Sequence, residues 1–199
     1  MEITNDKELA AASIKAGELL QSINDYCVAQ NKTIADVPDS QVRFPRGFIR
    51  TADYQRGRFT FLSCHTIKSN IAYTLMLSDT ILWLALRTDI AGIAKDMLYK
   101  LFIFLVGAVV ESTTKEYLKG ICGKNYKTRT EYLVKKGVID LPLKNELDWL
   151  WDIRNKMHLF QLDGREYEND YCPENHHRAI KAFRGLLNSF SKNGAVNAS

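Results

Sequence analysis

Four prolines divide a chain whose apolar residues otherwise recur with the period of an α-helix. Proline breaks a helix interior but is tolerated in loops and in the first turn of a helix. The long stretches between the prolines are therefore free to be helical, and no segment shows the sustained apolar–polar alternation of a strand. The sequence predicts an all-α fold, a bundle of five or six helices. The prolines are Pro38, Pro45, Pro142 and Pro173.

Several residues mark where the predicted helices begin and end. Asn5 or Thr4 can cap the first helix, and Gly137 can end a short helix. Pro142 and Pro173 suit the first turns of the two helices that follow them. The predicted helices cover about residues 5–30, 60–87, 90–120, a short segment within 126–140, 143–160 and 173–190.

The length and composition of the chain fit one globular domain. With 199 residues it can bury its own core, and 46% hydrophobic and 25% charged residues are ordinary values for a globular protein. Within this single domain the sequence predicts an N-terminal helix over residues 1–30, an arginine-rich loop over 31–58, a helical core over 59–191 and a frayed tail over 192–199.

Cysteine spacing and apolar runs indicate the compartment. The four cysteines form no C-x-x-C pair, and the N-terminus has no apolar signal segment, which is typical of a reduced, cytoplasmic chain. The longest apolar run, Leu101–Val110, has ten residues, about half of the length that crosses a bilayer. We therefore expect a cytoplasmic protein with no membrane partner and a buried helix at this run.

The stretch "DIRNKMHLF" places an arginine one predicted helical turn before one of the few histidines. Arg154 and His158 are four residues apart, so a continuous helix would project both from one face. Arginine grips phosphate through its planar guanidinium, and histidine moves protons near neutral pH. With Asn155 to bond the phosphate or orient the histidine, this set can cleave a phosphodiester without a metal. The alternative is a common arrangement on an exposed helix face with no catalytic role.

Three segments in a fixed order resemble the HEPN superfamily of small all-helical bundles, which includes toxins of toxin–antitoxin systems and abortive-infection proteins. They are the apolar helix "LVGAVVESTTKEYL" at 105–118, the lysine-rich "EYLVKKGVID" at 131–140 and "LDWLWDIRNKMHL" at 147–159. The resemblance covers roughly residues 63–191. It implies a HEPN-like bundle and a role as a toxin or defence component.

The resemblance also implies a metal-independent endoribonuclease that needs no cofactor. The family's arginine falls on Arg154, its polar residue on Asn155 and its histidine on His158, with fewer residues between arginine and histidine than the family pattern has. Many members are homodimers with two facing motifs, so the implied partners are RNA, a second copy and an antitoxin or another protein. Non-catalytic relatives make an RNA- or protein-binding module the alternative. A purely structural bundle in a larger assembly is a third hypothesis.

The loop "QVRFPRGFIRTADYQRGR" at 41–58 carries five arginines and only one acid, Asp53, a local excess of four positive charges. Phe44, Phe48 and Tyr54 are interleaved with them, and this combination is typical of contact with single-stranded RNA. The alternative is that the aromatic residues pin the loop to the bundle and the arginines pair with acids of other helices. The arginines predicted to bind RNA are Arg43, Arg46, Arg50, Arg56 and Arg58.

Glu111 is a lone carboxylate in the apolar third helix, where a charge is destabilising unless it is paired. We predict that it holds Arg154 in place, and the alternative is a partly exposed position with no such role. Trp149 and Trp151 flank the arginine motif on an apolar helix face. They are predicted to lie in the core or in a dimer interface rather than to stack on bases.

Other chemistries have little support in the sequence. Cys172, His176 and His177 are clustered, but their spacing matches no zinc site, so no metal is predicted. The chain has no glycine-rich phosphate loop and no nucleophile elbow. Nucleotide hydrolases and ordinary esterases are therefore poor fits.

Overall fold

The computed structural model describes residues 2–33, 36–157 and 171–194 of the chain. In these ranges all regular structure is helical, with seven α-helices, one short 3₁₀ turn and no strand. The predicted all-α class is confirmed. The chain divides into two compact units, Met1–Arg46 and Gly47–Ser199, and the boundary falls inside the predicted arginine-rich loop.

The first unit contains helix α1, Asp6–Ala29, and a 3₁₀ turn at Pro38–Ser40. Asn5 caps α1 as predicted, because its side chain accepts a hydrogen bond from the Glu8 amide at 3.0 Å. The Glu8 carboxylate in turn accepts from the Thr4 amide at 2.8 Å. No residue of α1 is buried, and its apolar side chains remain exposed along the helix.

The second unit is a bundle of six helices with the longest one at its centre. That helix, α4, packs against α3, α5, α6 and α7, while α2 packs on α3, and both α5 and α7 pack on α6. The six helices are α2 Ala52–Gly57, α3 His65–Arg87, α4 Gly92–Tyr117, α5 Tyr126–Lys135, α6 Leu141–Asn155 and α7 Pro173–Asn193.

The core forms where the apolar faces of α4, α6 and α7 meet. Ile103 and Val106 of α4 are at most 1% exposed, and Leu147 of α6 and Leu186 of α7 are fully buried. Burial of each such side chain contributes about 1.5–3 kcal/mol to folding. The apolar run Leu101–Val110 thus lies in α4, but it is buried on one side only, because Leu101 and Phe104 are 42% and 37% exposed. No helix among the described residues is long and apolar enough to cross a membrane.

Gly137, Pro142 and Pro173 mark a helix end and two helix starts as the sequence predicts, while the cap at Asp140 was not predicted. Gly137, with φ +67°, follows the end of α5. Asp140 caps α6 by accepting from the Leu143 amide at 2.9 Å, and Pro142 lies in the first turn of that helix. Pro173 begins α7.

The predicted helix count and one helix start were wrong. Instead of five or six helices, the described residues contain seven, because the predicted loop contains α2, which Thr51 caps by accepting from the Tyr54 amide at 3.2 Å. Helix α3 begins at His65 rather than near residue 60. Phe59 and Phe61 lie in the preceding turn and are buried in the core, so their apolar character reflects tertiary packing and not a helical face.

Candidate functional site

Arg154 lies in the last turn of α6, on a helix that the core holds firmly. Leu150 and Ile153 of the same helix are buried. On α4, Gly107 approaches α6 so closely that an added Cβ would lie 3.1 Å from the Cβ of Arg154. Because glycine has no Cβ, the two helices can meet here. This contact fixes where the Arg154 side chain leaves the bundle.

The guanidinium of Arg154 is held by groups from two helices. Its Nη2 lies 3.4 Å from Oε2 of Glu111 on α4. Its Nη1 donates a hydrogen bond to Oδ1 of Asn155 at 2.9 Å, and its Cζ lies 5.6 Å from the centroid of the Phe104 ring. The structure therefore brings together three of the residues that the sequence predicts for the site.

These contacts leave part of the Arg154 guanidinium available. The side chain is 29% exposed, and that of Glu111 is 34% exposed. A single ion-pair contact at this exposure is weaker than a bidentate pair. The buried Nε of Arg154 has no hydrogen-bond partner among the described residues. An anion approaching from solvent can therefore bind Arg154 without first breaking a saturated network.

The continuous helix predicted to carry both Arg154 and His158 was wrong, while the shared face of the two side chains stays a prediction. Helix α6 ends at Asn155 rather than near residue 160, Lys156 is its C-cap, and Met157 is not helical. His158 lies outside the described residues. Neither glycine nor proline occurs between residues 155 and 160, so the sequence carries none of the usual signals for this helix end.

Arg50 is the most firmly bound arginine of the predicted RNA-binding loop. Its backbone amide and its Nε each donate to Oδ2 of Asp79 on α3 at 3.0 Å, and its Nη2 pairs with Oδ1. Gln55 donates to the same carboxylate at 3.3 Å. The Asp79 side chain is only 4% exposed, so this network anchors the loop to α3.

The other loop arginines lie in different settings. Arg56 pairs with Asp53 one turn earlier. Arg58 donates from Nη1 to Oε1 of Gln55 at 2.8 Å. Arg43 and Arg46 belong to the first unit and are exposed. The alternative considered for this loop, pairing with acids of other helices, thus applies to Arg50, whereas Arg56 pairs within α2. RNA contact by the loop stays a prediction.

The two tryptophans of α6 are half-buried and make specific contacts within the second unit. Trp151 stacks on Tyr126 of α5 with ring centroids 5.4 Å apart and an interplanar angle of 5°. The guanidinium of Arg178 lies over the Trp149 ring, with its Cζ 3.9 Å from the ring centroid. Both contacts join neighbouring helices, so these rings serve packing in the bundle.

His176 of the Cys172–His177 cluster faces the core. It is 6% exposed and lies against Tyr99 and Phe102, with ring centroids 4.9 and 4.5 Å away. Burial lowers the pKa of His176 to about 4, with a further contribution from the charge of His177. His176 is therefore neutral at physiological pH. The described residues contain no group of three or more histidine, cysteine and acidic side chains placed to hold a metal.

Three residues around the loop arginines were not predicted as site residues: Asp79, Gln55 and Arg184. Asp79 had a usable signal, because it is a lone acid in the apolar segment "LMLSDTILWL", the same pattern that singled out Glu111. Gln55 carried no signal beyond its place in the loop. Arg184 lies on α7 and lines the same cavity as Arg50 and Arg58. This proximity arises only from the packing of α7 in the bundle.

Comparisons with protein-family models, with curated proteins and with solved structures find no match to this chain.

Proposed function

We propose that this protein is a metal-independent endoribonuclease of the HEPN type, acting on RNA through Arg154, Asn155 and His158. One observation carries the proposal. At the end of α6 a partly exposed arginine is held by Glu111 and Asn155, and the chain continues from this point to His158 within three residues. The motif order that resembles the family supports the same activity.

Each residue has a distinct part in the proposed reaction. The 2′-hydroxyl of the ribose attacks the adjacent phosphorus, and the bond to the 5′-oxygen of the next nucleotide breaks. Arg154 stabilises the negative charge that develops on the phosphoryl oxygens. His158 transfers a proton to or from the reacting oxygens. Glu111 and Asn155 orient the guanidinium, and a second copy in a homodimer supplies a second motif, as in the family that the chain resembles.

The decisive experiment is cleavage of total RNA by the purified protein in excess EDTA. We expect wild-type cleavage to persist, and Arg154→Ala and His158→Ala each to reduce the rate by about a hundredfold or more. Arg87→Ala is the matched control, because Arg87 is an exposed arginine at the end of α3. Cleavage that EDTA abolishes, or that survives both site substitutions, would refute the proposal.

The second candidate is a HEPN-like module that binds RNA or a protein without cleaving it. The end of α6 at Asn155 favours it, because no continuous helix joins Arg154 to His158. This candidate predicts no cleavage of any RNA tested, together with RNA binding that Arg154→Ala weakens. If a bound protein co-purifies with the chain, the assay is repeated after its removal, since an antitoxin would mask a nuclease. Toxin or defence roles rest on the same resemblance.

A further inference from the structure

Three arginines from different segments of the second unit line one small cavity. Arg50 precedes α2, Arg58 directly follows it, and Arg184 comes from α7. The cavity has a volume of about 60 Å³, room for roughly five water molecules. Phe102 and Phe183 contribute apolar walls. A space of this size suits a single tetrahedral oxyanion, with the remainder of any ligand outside.

The charges around this cavity do not balance. Of the described residues that line it, Asp79 is the only acid, and its oxygens already accept from Arg50 and Gln55. Among the described residues, Arg58 has no carboxylate partner: its hydrogen bond goes to the neutral Gln55 and its Cζ lies 5.4 Å from the Phe183 ring centroid. Arg184 is exposed. Two positive charges therefore remain in excess.

The arginines are close enough to affect one another. Burial lowers the pKa of the Arg58 guanidinium, and the charges of Arg50 and Arg184 lower it further. Arg58 still carries its charge at neutral pH, since a guanidinium is not deprotonated in proteins. The three like charges repel, and an anion between them would relieve that repulsion. The apolar walls strengthen such an interaction by limiting solvent screening.

We propose that this cavity binds the phosphate of a phosphate monoester, with Arg58 and Arg184 as its main ligands. Arg50 uses Nε and Nη2 on Asp79 and its Cζ lies 5.9 Å from the Tyr54 ring centroid, so it adds positive charge to the cavity wall without being a main ligand. A monoester carries about −1.5 to −2 charge at neutral pH, which matches the two excess positive charges. The phosphate of a monoester is a chain end and can enter a small cavity. A phosphodiester within a strand has substituents on both sides and cannot enter in this way. The source is a free nucleotide or the 5′ end of an RNA.

The test measures binding of adenosine 5′-monophosphate and inorganic phosphate to the full chain by calorimetry at low ionic strength. We expect both to bind and adenosine not to bind. Arg58→Gln and Arg184→Gln should each weaken binding about tenfold, the effect of losing one charge-assisted contact. Arg87→Gln, an exposed arginine elsewhere, should bind like wild type. Circular dichroism verifies that each variant is folded. Because Arg184 is exposed, Arg184→Gln should fold, and its affinity tests the proposal even if Arg58→Gln fails to fold.

Two results overturn the proposal: wild type that binds neither ligand at millimolar concentration, or Arg184→Gln that binds as tightly as wild type. The source is identified with 5′-phosphorylated and 5′-hydroxyl RNA octamers in a His158→Ala background. If the phosphorylated octamer binds more tightly than the hydroxyl octamer, the ligand is the 5′ end of an RNA. If the two octamers bind equally and adenosine 5′-monophosphate still binds, the ligand is a free nucleotide. Because nothing is cleaved in these measurements, they fail or succeed independently of the proposed nuclease activity.

Discussion

Two arginine–carboxylate pairs in the second unit differ in how completely they are satisfied. Asp79 is 4% exposed and accepts from the amide and side chain of Arg50 and from Gln55. Glu111 is 34% exposed and meets Arg154 at one contact of 3.4 Å. Both acids stand alone in apolar helical sequence. A lone acid in such a helix therefore indicates an arginine partner, while the burial of the acid and the number of hydrogen bonds it accepts decide how firmly that arginine is held.

The difference has an energetic consequence. Asp79 is buried but Arg50 is 41% exposed, so removal of the carboxylate loses its charge-assisted hydrogen bonds, about 1.5–3 kcal/mol, without leaving a fully buried charge. An exposed pair contributes about 0.2–1 kcal/mol. The first pair thus holds the loop to the bundle, whereas the second positions an arginine that can still bind a ligand.

The largest effect is expected for Asp79→Asn. The substitution keeps the size of the side chain but removes the charge that neutralises Arg50 and places an amide donor opposite the guanidinium. The Arg50 side chain is 41% exposed, so water can solvate its freed charge, and we expect the free energy of unfolding to fall by about 1.5–3 kcal/mol through the lost charge-assisted hydrogen bonds, measured by urea denaturation. Glu111→Gln makes the same chemical change at the exposed pair and should cost less than about 1 kcal/mol. Similar losses at both positions would contradict the comparison.

A second effect concerns His176, which is buried without a charge partner, in contrast to Asp79. Its pKa is about 4 in the folded protein and 6.5 ordinarily, so the unfolded chain binds more protons between these values. This contribution to stability is fully present above pH 6.5 and is lost as the pH falls toward 4. At about 1.36 kcal/mol per pH unit, we expect a loss of about 2 kcal/mol between pH 6.5 and pH 5.

His176→Phe tests the pH prediction, because phenylalanine can pack against Tyr99 and Phe102 and cannot titrate. Urea denaturation at pH 7 and pH 5 should show a smaller loss for the variant than for wild type. Other acid-sensitive groups are common to both proteins and cancel in this difference. An identical pH dependence in both proteins would show that His176 does not contribute.

Gly107→Ala is expected to have an intermediate effect of about 1–2 kcal/mol. Its new Cβ would lie 3.1 Å from Cβ and 3.2 Å from Cγ of Arg154, so α4 and α6 must separate slightly. Gly17→Ala is the control, since that glycine lies within α1 with nothing within 4 Å of an added Cβ. The control should be neutral or stabilising. Thermal unfolding compares the two, and a neutral Gly107→Ala would mean that the helix contact does not constrain Arg154.

The parts of the fold that were predictable depend on local signals. The cap at Asn5, the glycine at 137 and the prolines at 142 and 173 act within a few residues, so local sequence alone locates them. The short helix α2 and the end of α6 were missed, because the first is stabilised by packing on α3 and the second has no glycine or proline. The same limit applies to Phe59, whose burial comes from the assembled bundle.

The candidate site was predictable only where residue type restricts the partner. An acid in an apolar helix needs a cation, which made the Glu111–Arg154 contact foreseeable. Which of several loop arginines meets Asp79 depends on how a segment 29 residues away folds back. The cavity arginines, Arg58 and Arg184, are farther apart still in sequence. No periodic pattern encodes such long-range proximity, so these groupings required the structure.

The smallest effect on stability is expected for the Arg154–Glu111 pair, where the consequence should appear in binding instead. A double-mutant cycle with Arg154→Ala and Glu111→Gln should give a coupling energy below about 1 kcal/mol that decreases with added salt. In a His158→Ala background, Glu111→Gln should tighten RNA binding about two- to fivefold, because the carboxylate no longer competes with phosphate for the guanidinium. Fluorescence anisotropy with a labelled RNA measures this. If RNA affinity falls instead, Glu111 orients Arg154 more than it competes for it, and exposure alone does not distinguish an available arginine from a structural one.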